Sequence, residues 1–400
     1  MRHARLWISL LLFTVTIGGC HCGPRFLENA RVEISELIPP VSLQASTTVQ
    51  AAAFFDDNHV IAAFIRDFDG DGLLTGADRS AIWSIDLDSG RWSELTDSQS
   101  SNCFLPDSGF AIGTRPVIDG RILFHRVSAD SDGDGLLTTA DKVELWSMAR
   151  DGSDQRSLIA QGNPRLADVS QQAQRILYSV RNVGLGRDFY LATASGASPV
   201  RVPIPGMVSA VFSPEGDRFV AVIEGQAGMA LELVDPADNY SRRSLLEGVS
   251  LLYFAPRWSD DGTRVLAHVG VDADGDGNVA LDEPGQILVV NVHTGDVESL
   301  TLAPPTGNLL GGVWAEHGRV LYLSAAPSTY EHFRGIRLMA APLGADKASE
   351  IYCCFNSALK VYLAPSPNSR RFLIDLWSDV NNDGRITGAD RSVLGLIEPK

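Results

Sequence analysis

The chain has 400 residues, 44% of them hydrophobic, which supplies a sizeable core and argues against global disorder. Its 49 acidic residues outnumber 33 basic ones, for a formal charge of −16. That sign repels phosphate, so no nucleic acid is expected as partner.

The N-terminus reads as an address. Arg2 and Arg5 precede an apolar run from Leu6 to Ile17, followed by Gly18-Gly19-Cys20. A basic start, a short apolar stretch and small residues before a cut describe a secretory signal, too short for a membrane span. Ile17-Gly18-Gly19-Cys20 resembles a bacterial lipobox, with Ile where Leu is usual. The resemblance implies cleavage before Cys20, a diacylglycerol on its sulfur, and export to the outer membrane as a lipoprotein, since His21 rather than Asp follows. An ordinary signal peptide with a coincidental cysteine is the plainer alternative. On this reading residues 1–19 are signal peptide, 20–44 a lipidated linker, and 45–400 the folded domain. Within the linker, Arg31 to Leu37 could supply a closing strand. Export permits disulfides; Cys103 with Cys353 or Cys354, and a vicinal bridge between the last two, are both open.

Four acidic loops of twelve residues interrupt the hydrophobic runs. The first carries Asp67, Asp69, Asp71 and Asp78, and the second Asp130, Asp132, Asp134 and Asp141. The third carries Asp272, Asp274, Asp276 and Glu283, and the fourth Asp379, Asn381, Asp383 and Asp390. These side chains occupy loop positions 1, 3, 5 and 12, with Gly at 6 where the backbone must turn sharply, which is the spacing of an EF-hand calcium loop. Position 7 would lend a backbone carbonyl from Leu73, Leu136, Asn278 or Arg385. Position 9 would lend Thr75, Thr138 or Thr387, and water must serve at Ala280. The apolar residue at position 8 is expected to tuck each loop against the fold. Up to four Ca2+ ions are expected, with affinities of roughly 10⁻⁴ to 10⁻³ M because three loops close with the shorter Asp. Sixteen acids lie in these loops, so four divalent ions would cancel half of the −16. Metal-free acidic turns are the blander alternative, opposed by the mutual repulsion of the carboxylates.

Around the loops runs a repeat of about 45 to 60 residues. Ser213-Pro214-Glu215-Gly216-Asp217-Arg218, Ser259-Asp260-Asp261-Gly262-Thr263-Arg264 and Ser366-Pro367-Asn368-Ser369-Arg370-Arg371 each precede a strand expected to alternate with period two. Weaker copies begin near Asp57, Asp119, Gln172 and Glu316. The turn resembles that of WD40-like repeats in TolB-like periplasmic propellers, and the resemblance covers nearly all of residues 45 to 400. It implies an all-β fold: a β-propeller of seven four-stranded blades, closed by the N-terminal strand. Six or eight blades and an open sandwich are the alternatives. Since strands rather than helices flank the acidic loops, each loop is placed between the second and third strands of a blade. Dockerin modules share such loops, but their helices are missing here.

No nucleophile elbow, His-Glu-x-x-His helix, Walker loop or dinucleotide fingerprint is present. The eight histidines are scattered, and six tryptophans (Trp83, Trp92, Trp146, Trp258, Trp314 and Trp377) are read as core rather than sugar platforms. The favoured reading is a monomeric, lipid-anchored, calcium-binding propeller serving as a binding or scaffold module at the cell envelope. Its partner would be an envelope protein, peptide or glycan. The rival is a propeller hydrolase or lyase acting on polysaccharide or peptide.

Overall fold

The turn motif closes on itself through one repeated set of hydrogen bonds. Ser213 donates its backbone N–H to Arg218 O at 2.8 Å, Gly216 donates to Ser213 O at 2.8 Å, and Ser213 Oγ accepts from Arg218 N at 3.2 Å. The set recurs at Ser259 with Arg264 and Gly262, and at Ser366 with Arg371 and Ser369. Each hydroxyl donates in turn to Asp217, Asp261 or Asn368, at 2.8, 2.7 and 2.7 Å, which explains the acid or amide in the motif. The fourth residue lies in the left-handed region: Gly216 at φ +72°, Gly262 at +66° and Ser369 at +55°. The weaker copies occupy the same place, with Asp119 at +50°, Gln174 at +52° and His317 at +62°.

These turns join the first and second strands of seven antiparallel sheets. In the computed structural model the described residues are 32–37, 47–68, 78–97, 99–106, 115–182, 186–225, 228–249, 255–270, 285–300, 308–325, 336–343, 349–355, 363–378 and 391–399. The N-terminal strand β1 spans Val32–Glu36. Blade one is β2 (Thr47–Asp56), β3 (His59–Arg66), β4 (Arg79–Asp86) and β5 (Arg91–Glu94). Blade two has an inner strand in two pieces, β6 (Asn102–Phe104) and β7 (Val117–Ile118), then β8 (Arg121–Val127), β9 (Val143–Ala149) and β10 (Arg156–Ile159). Blade three is β11 (Arg165–Ser170), β12 (Arg175–Arg181), β13 (Arg187–Thr193) and β14 (Val200–Arg201). Blade four is β15 (Met207–Phe212), β16 (Phe219–Gly225), β17 (Gly228–Asp235) and β18 (Ser241–Val249). Blade five is β19 (Arg257–Trp258), β20 (Arg264–Gly270), β21 (Gly285–Asn291) and β22 (Val297–Ser299). Blade six is β23 (Asn308–Ala315), β24 (Arg319–Ala325), β25 (Ile336–Pro342) and β26 (Ser349–Phe355). Blade seven takes β27 (Leu363–Pro365), β28 (Phe372–Ser378) and β29 (Arg391–Pro399), and its fourth strand is β1. The protein is a seven-bladed β-propeller, and β1 pairs with β29 from Val32↔Pro399 to Glu36↔Gly395, as the sequence had suggested.

The cores lie between blades. Val49, Phe54 and Val60 of blade one pack with Leu373, Leu394 and Leu396 of blade seven. On the other face of blade one, Ile61 and Ile82 pack with Ile122, Phe124 and Met148 of blade two. The expected alternation therefore fails in the second strands. Val60 to Phe64 is buried throughout, as are Phe219 to Ile223 and Val265 to Gly270, because each blade is covered on both faces. Burying each Val, Leu, Ile or Phe among them contributes about 1.5–3 kcal/mol. Alternation survives in β11, whose pattern is strictly in and out. The outermost strands β5, β10, β14 and β22 are short and largely exposed, and Arg91, Arg156 and Arg201 blunt three of these edges.

Polar clips cross the seams. Trp258 Nε1 donates to Val211 O at 3.0 Å, and Trp314 Nε1 to Arg257 O at 2.9 Å; each indole reaches the inner strand of the preceding blade. Trp83, Trp92 and Trp146 pack against inter-blade cores, as expected. The Trp377 side chain lies outside the described residues. Asp168 Oδ2 accepts from Phe212 N at 2.7 Å across the third seam. At the ring closure, Arg371 donates to Asp57 O and pairs with Glu398 at 2.8 Å. Cys103 is a buried free thiol rather than half of a bridge, and Ser101 Oγ lies 3.3 Å from its sulfur. The side chains of Cys353 and Cys354 are outside the described residues.

Two expectations follow. A Cβ at Gly216 would fall 1.9 Å from Ser170 Oγ on the neighbouring turn, whereas at Gly262 its nearest neighbour is Pro214 Cδ at 3.6 Å. Gly262→Ala should thus cost only left-handed strain, about 1–2 kcal/mol, and Gly216→Ala clearly more, read as urea midpoints. Burial raises the Asp168 pKa to about 7, against the N–H of Phe212 and the charge of Arg257. Its folded value lies above the unfolded one, so its contribution is full below about pH 4 and lost as pH rises through about 7. The stability of Asp168→Asn relative to wild type should therefore increase between pH 5 and pH 8 in thermal melts.

Candidate metal centre

The antiparallel register decides which end of each blade carries the acidic loops. Loop one joins β3 to β4, loop two β8 to β9, loop three β20 to β21 and loop four β28 to β29, always second strand to third. These connections share one face with the linkers that carry the chain between blades. Loop two is fully described. In loop one Asp67, Phe68 and Asp78 are described; Asp69, Asp71, Leu73 and Thr75 lie outside. Loops three and four, with Asp272, Asp274, Asp276, Asn278, Glu283, Asp379, Asn381, Asp383, Arg385, Thr387 and Asp390, also lie outside the described residues, as does Cys20.

Loop two is shaped by its own carboxylates. Asp130 accepts from Gly133 N at 2.6 Å and Gly135 N at 2.8 Å. Both glycines have positive φ, +82° and +86°, which lets their N–H groups turn inward toward one side chain. Asp132 accepts from Asp134 N at 3.2 Å, and Asp134 from Leu136 N at 2.8 Å. One carboxylate oxygen from each of Asp130, Asp132 and Asp134 lies within 4.8 Å of the others, and all three residues are exposed. The Asp134 N–H holds the Asp132 pKa down, but burial and the charges of Asp134, Asp141 and Asp130 outweigh it and push the value up.

Asp141 at position 12 does a different job. Its side chain is buried at 1% exposure and does not join the three-carboxylate group. Oδ1 accepts from Ser131 N at 2.6 Å and Oδ2 from Thr138 N at 2.9 Å, stapling the two ends of the loop. These N–H donors, Thr138 first, hold its pKa below the ordinary carboxylate value. Loop one repeats the contact: Phe68 N donates to Asp78 Oδ1 at 2.7 Å, again position 2 to position 12. The sequence assigned position 12 to the ion alone and missed this structural role; the signal available was the Asp itself, short enough to stay near the backbone.

In loop two position 8 behaves as expected. Leu137 is buried with Phe104, Val127 and Val143, while Leu136 stays exposed and Thr138 Oγ1 accepts from Ala140 N at 3.1 Å. Sequence reasoning missed Asn102. Its Nδ2 donates to Leu137 O at 2.8 Å, and its Oδ1 accepts from Ser80 N at 3.0 Å and Ser80 Oγ at 2.8 Å. Ser80 follows Asp78 by two residues, so one buried amide ties the exit of loop one to the middle of loop two. Three of the described histidines are held within the fold: His59 pairs with Asp56 at 2.7 Å, and burial holds His125 and His268 at about 3, neutral at ordinary pH.

The donor set fits a hard divalent cation. Calcium takes six to eight oxygens at 2.3–2.6 Å, a sphere about 5 Å across, and three carboxylate oxygens within 4.8 Å span no more than that. Among the described residues no nitrogen or sulfur ligand joins the group. Asn102→Ala would leave the Ser80 N–H and the Leu137 carbonyl buried without partners. It should cost about 1–3 kcal/mol by urea unfolding in millimolar calcium.

No family model matches the chain, and no curated protein matches it by sequence. Solved structures do match. Acylaminoacyl peptidase from Pyrococcus horikoshii superposes with a TM-score of 0.52 at 14% identity, over 84% of this chain and 50% of that one. The chain therefore spans about half the length of that enzyme. The propeller domain of the Trilobed protease from Pyrococcus furiosus, described as having an open velcro topology, gives 0.55 at 10% identity over 89% and 95% of the two chains. Here β1 on β29 closes the ring instead. TolB from Acinetobacter baumannii matches at 0.44 with 12% identity over 86% and 80%, too low to carry an argument. At these identities the likeness establishes the propeller fold alone.

Proposed function

We propose that the chain is a calcium-stabilised propeller acting as a binding or scaffold module at the bacterial cell envelope, exported and held in the outer membrane by lipid on Cys20. The observation that carries the calcium reading is the convergence of Asp130, Asp132 and Asp134 in the one acidic loop described in full. Three carboxylates at that separation repel one another, and a divalent ion removes the repulsion. Asp130, Asp132 and Asp134 would hold the ion, with the Leu136 carbonyl beside them. Bound calcium would supply positive charge that ties the loop to the blade edge. The matching staple at Asp78 gives loop one the same architecture, and the ligand spacing extends the reading to Asp67, Asp69 and Asp71 and to the third and fourth loops.

The binding role rests on what propellers offer: a rigid ring that presents loops and a channel mouth on one face. An envelope protein, peptide or glycan is the partner class. The lipid anchor rests on the Ile17-Gly18-Gly19-Cys20 resemblance. Calcium at millimolar concentration should raise the melting temperature and chelator should lower it, with a smaller response in Asp130→Asn/Asp134→Asn. Identical melting curves under both conditions overturn the calcium reading. A pull-down from envelope extract alongside a glycan and peptide turnover panel separates the module from a hydrolase or lyase: turnover without capture favours the enzyme.

A further inference from the structure

The mouth of the central channel, on the loop-bearing face, holds a cavity of about 350 Å³. It is built by irregularities in the inner strands. Three of its lining residues, Gln50, Ala167 and Val208, are the extra residues of bulges in β2, β11 and β15, each lying where the register slips against the second strand. Bulges re-aim side chains and gather beside functional sites; three from three blades around one cavity is a shared construction. Loop two contributes Thr139 to the same wall.

The wall is basic in an acidic protein. Arg165, half-buried at the start of β11, and Arg187, at the start of β13, both line the cavity. Arg187 Nη1 donates to Ser179 Oγ at 3.2 Å. The Arg165 guanidinium lies 5.3 Å from the centroid of the Phe104 ring and makes no ion pair or hydrogen bond among the described residues. By contrast Arg121 pairs with Asp154 and Arg201 with Asp188, at 2.6 and 2.7 Å. Burial, then the charge of Arg187, holds the Arg165 pKa below the usual arginine value, so the two cations are close enough to repel. Gln50 adds an amide whose Oε1 is buried without a partner among the described residues. Phe104, Phe189 and Val208 supply apolar wall.

We propose that this cavity binds an organic carboxylate with an apolar body, its oxygens on the Arg165 and Arg187 guanidinia and its body against Phe104 and Phe189. Planar guanidinium forks match carboxylate geometry, and few other groups on an acidic face would draw an anion there. The volume suits a small ligand or one peptide end. The inference deepens the reading of the propeller as a binding module and rests on it, but it does not require the metal.

The test is calorimetric titration of the full chain, at fixed calcium and low salt, with N-acetyl-alanyl-phenylalanine and with its C-terminal amide. Inorganic phosphate serves as the anion without a body. The free acid should bind at least about tenfold more tightly than the amide and than phosphate, and Arg165→Met or Arg187→Met should remove at least about that advantage. Arg242→Met, on the outer strand β18, should bind as wild type does. Acid and amide binding alike, no heat from the acid, or tighter binding of phosphate overturns the inference. If Arg165→Met fails to melt cooperatively, the acid–amide comparison on the wild-type chain still decides. A chain that captures envelope partners yet treats acid and amide alike defeats this inference and leaves the binding module standing; failed capture with selective acid binding does the reverse.

Discussion

No blade of this protein has a face that water can keep. The second strands are buried on both sides, so each blade needs a neighbour on the left and another on the right. A row of such sheets always ends in two bare apolar surfaces, and only a ring has no ends. Closure therefore precedes every other property, and it depends on β1. That strand comes from the opposite end of the chain and supplies the outer edge of blade seven, so blades one and seven meet with a complete sheet between them and solvent. The Arg371 contacts to Asp57 and Glu398 secure the seam where the two ends of the chain come together.

The ring also sorts the connections. Turns from first to second strand are tight; those after β15, β19 and β27 are closed by a serine hydroxyl and a left-handed residue, and turns of neighbouring blades pack together where Gly216 meets Ser170. Length accumulates at the opposite end, in the second-to-third connections that start and end on paired strands. Loop closure there costs little per added residue, since each loop starts and ends on hydrogen-bonded neighbours. Acidic insertions could thus enter four blades without disturbing the inter-blade cores, provided each was fastened locally. In loops one and two, Asp78, Asp141, Leu137 and Asn102 are those fastenings.

Features whose cause is local were legible in the sequence. The Ser-x-x-Gly turns, the carboxylate spacing, the buried position 8 and the closing strand each follow from a few consecutive residues. Features whose cause is the neighbouring blade were not. Continuous burial in Val60 to Phe64 reflects sheets on both sides, which a strand's own sequence does not announce. Trp258 and Trp314 looked like generic core; their indole N–H groups act on a carbonyl one blade back. Asn102 lies 22 residues from Ser80 and 35 from Leu137, and only the ring brings the three together. Arg165 and Arg187 are further instances: two arginines at the starts of different strands carry no motif until bulged inner strands place them on one wall.

Charge is divided on the loop-bearing face in a way composition alone conceals. In loop two Asp130, Asp132 and Asp134 stand exposed to solvent, where ions screen them within about 8 Å at physiological ionic strength. Arg165 sits half-buried in the mouth, where screening is weaker and desolvation enlarges each interaction, with Arg187 at its exposed edge. An anion approaching from bulk therefore meets repulsion at the rim and attraction only within the cavity. Selection at such a mouth favours a ligand with enough apolar surface to make up for the approach, rather than a bare ion. Thr139, two residues before Asp141, belongs both to loop two and to the cavity wall. Whatever orders that loop, the staple at Asp141 included, fixes one side of the mouth, so the acidic loop and the basic cavity are coupled through a single short segment of backbone.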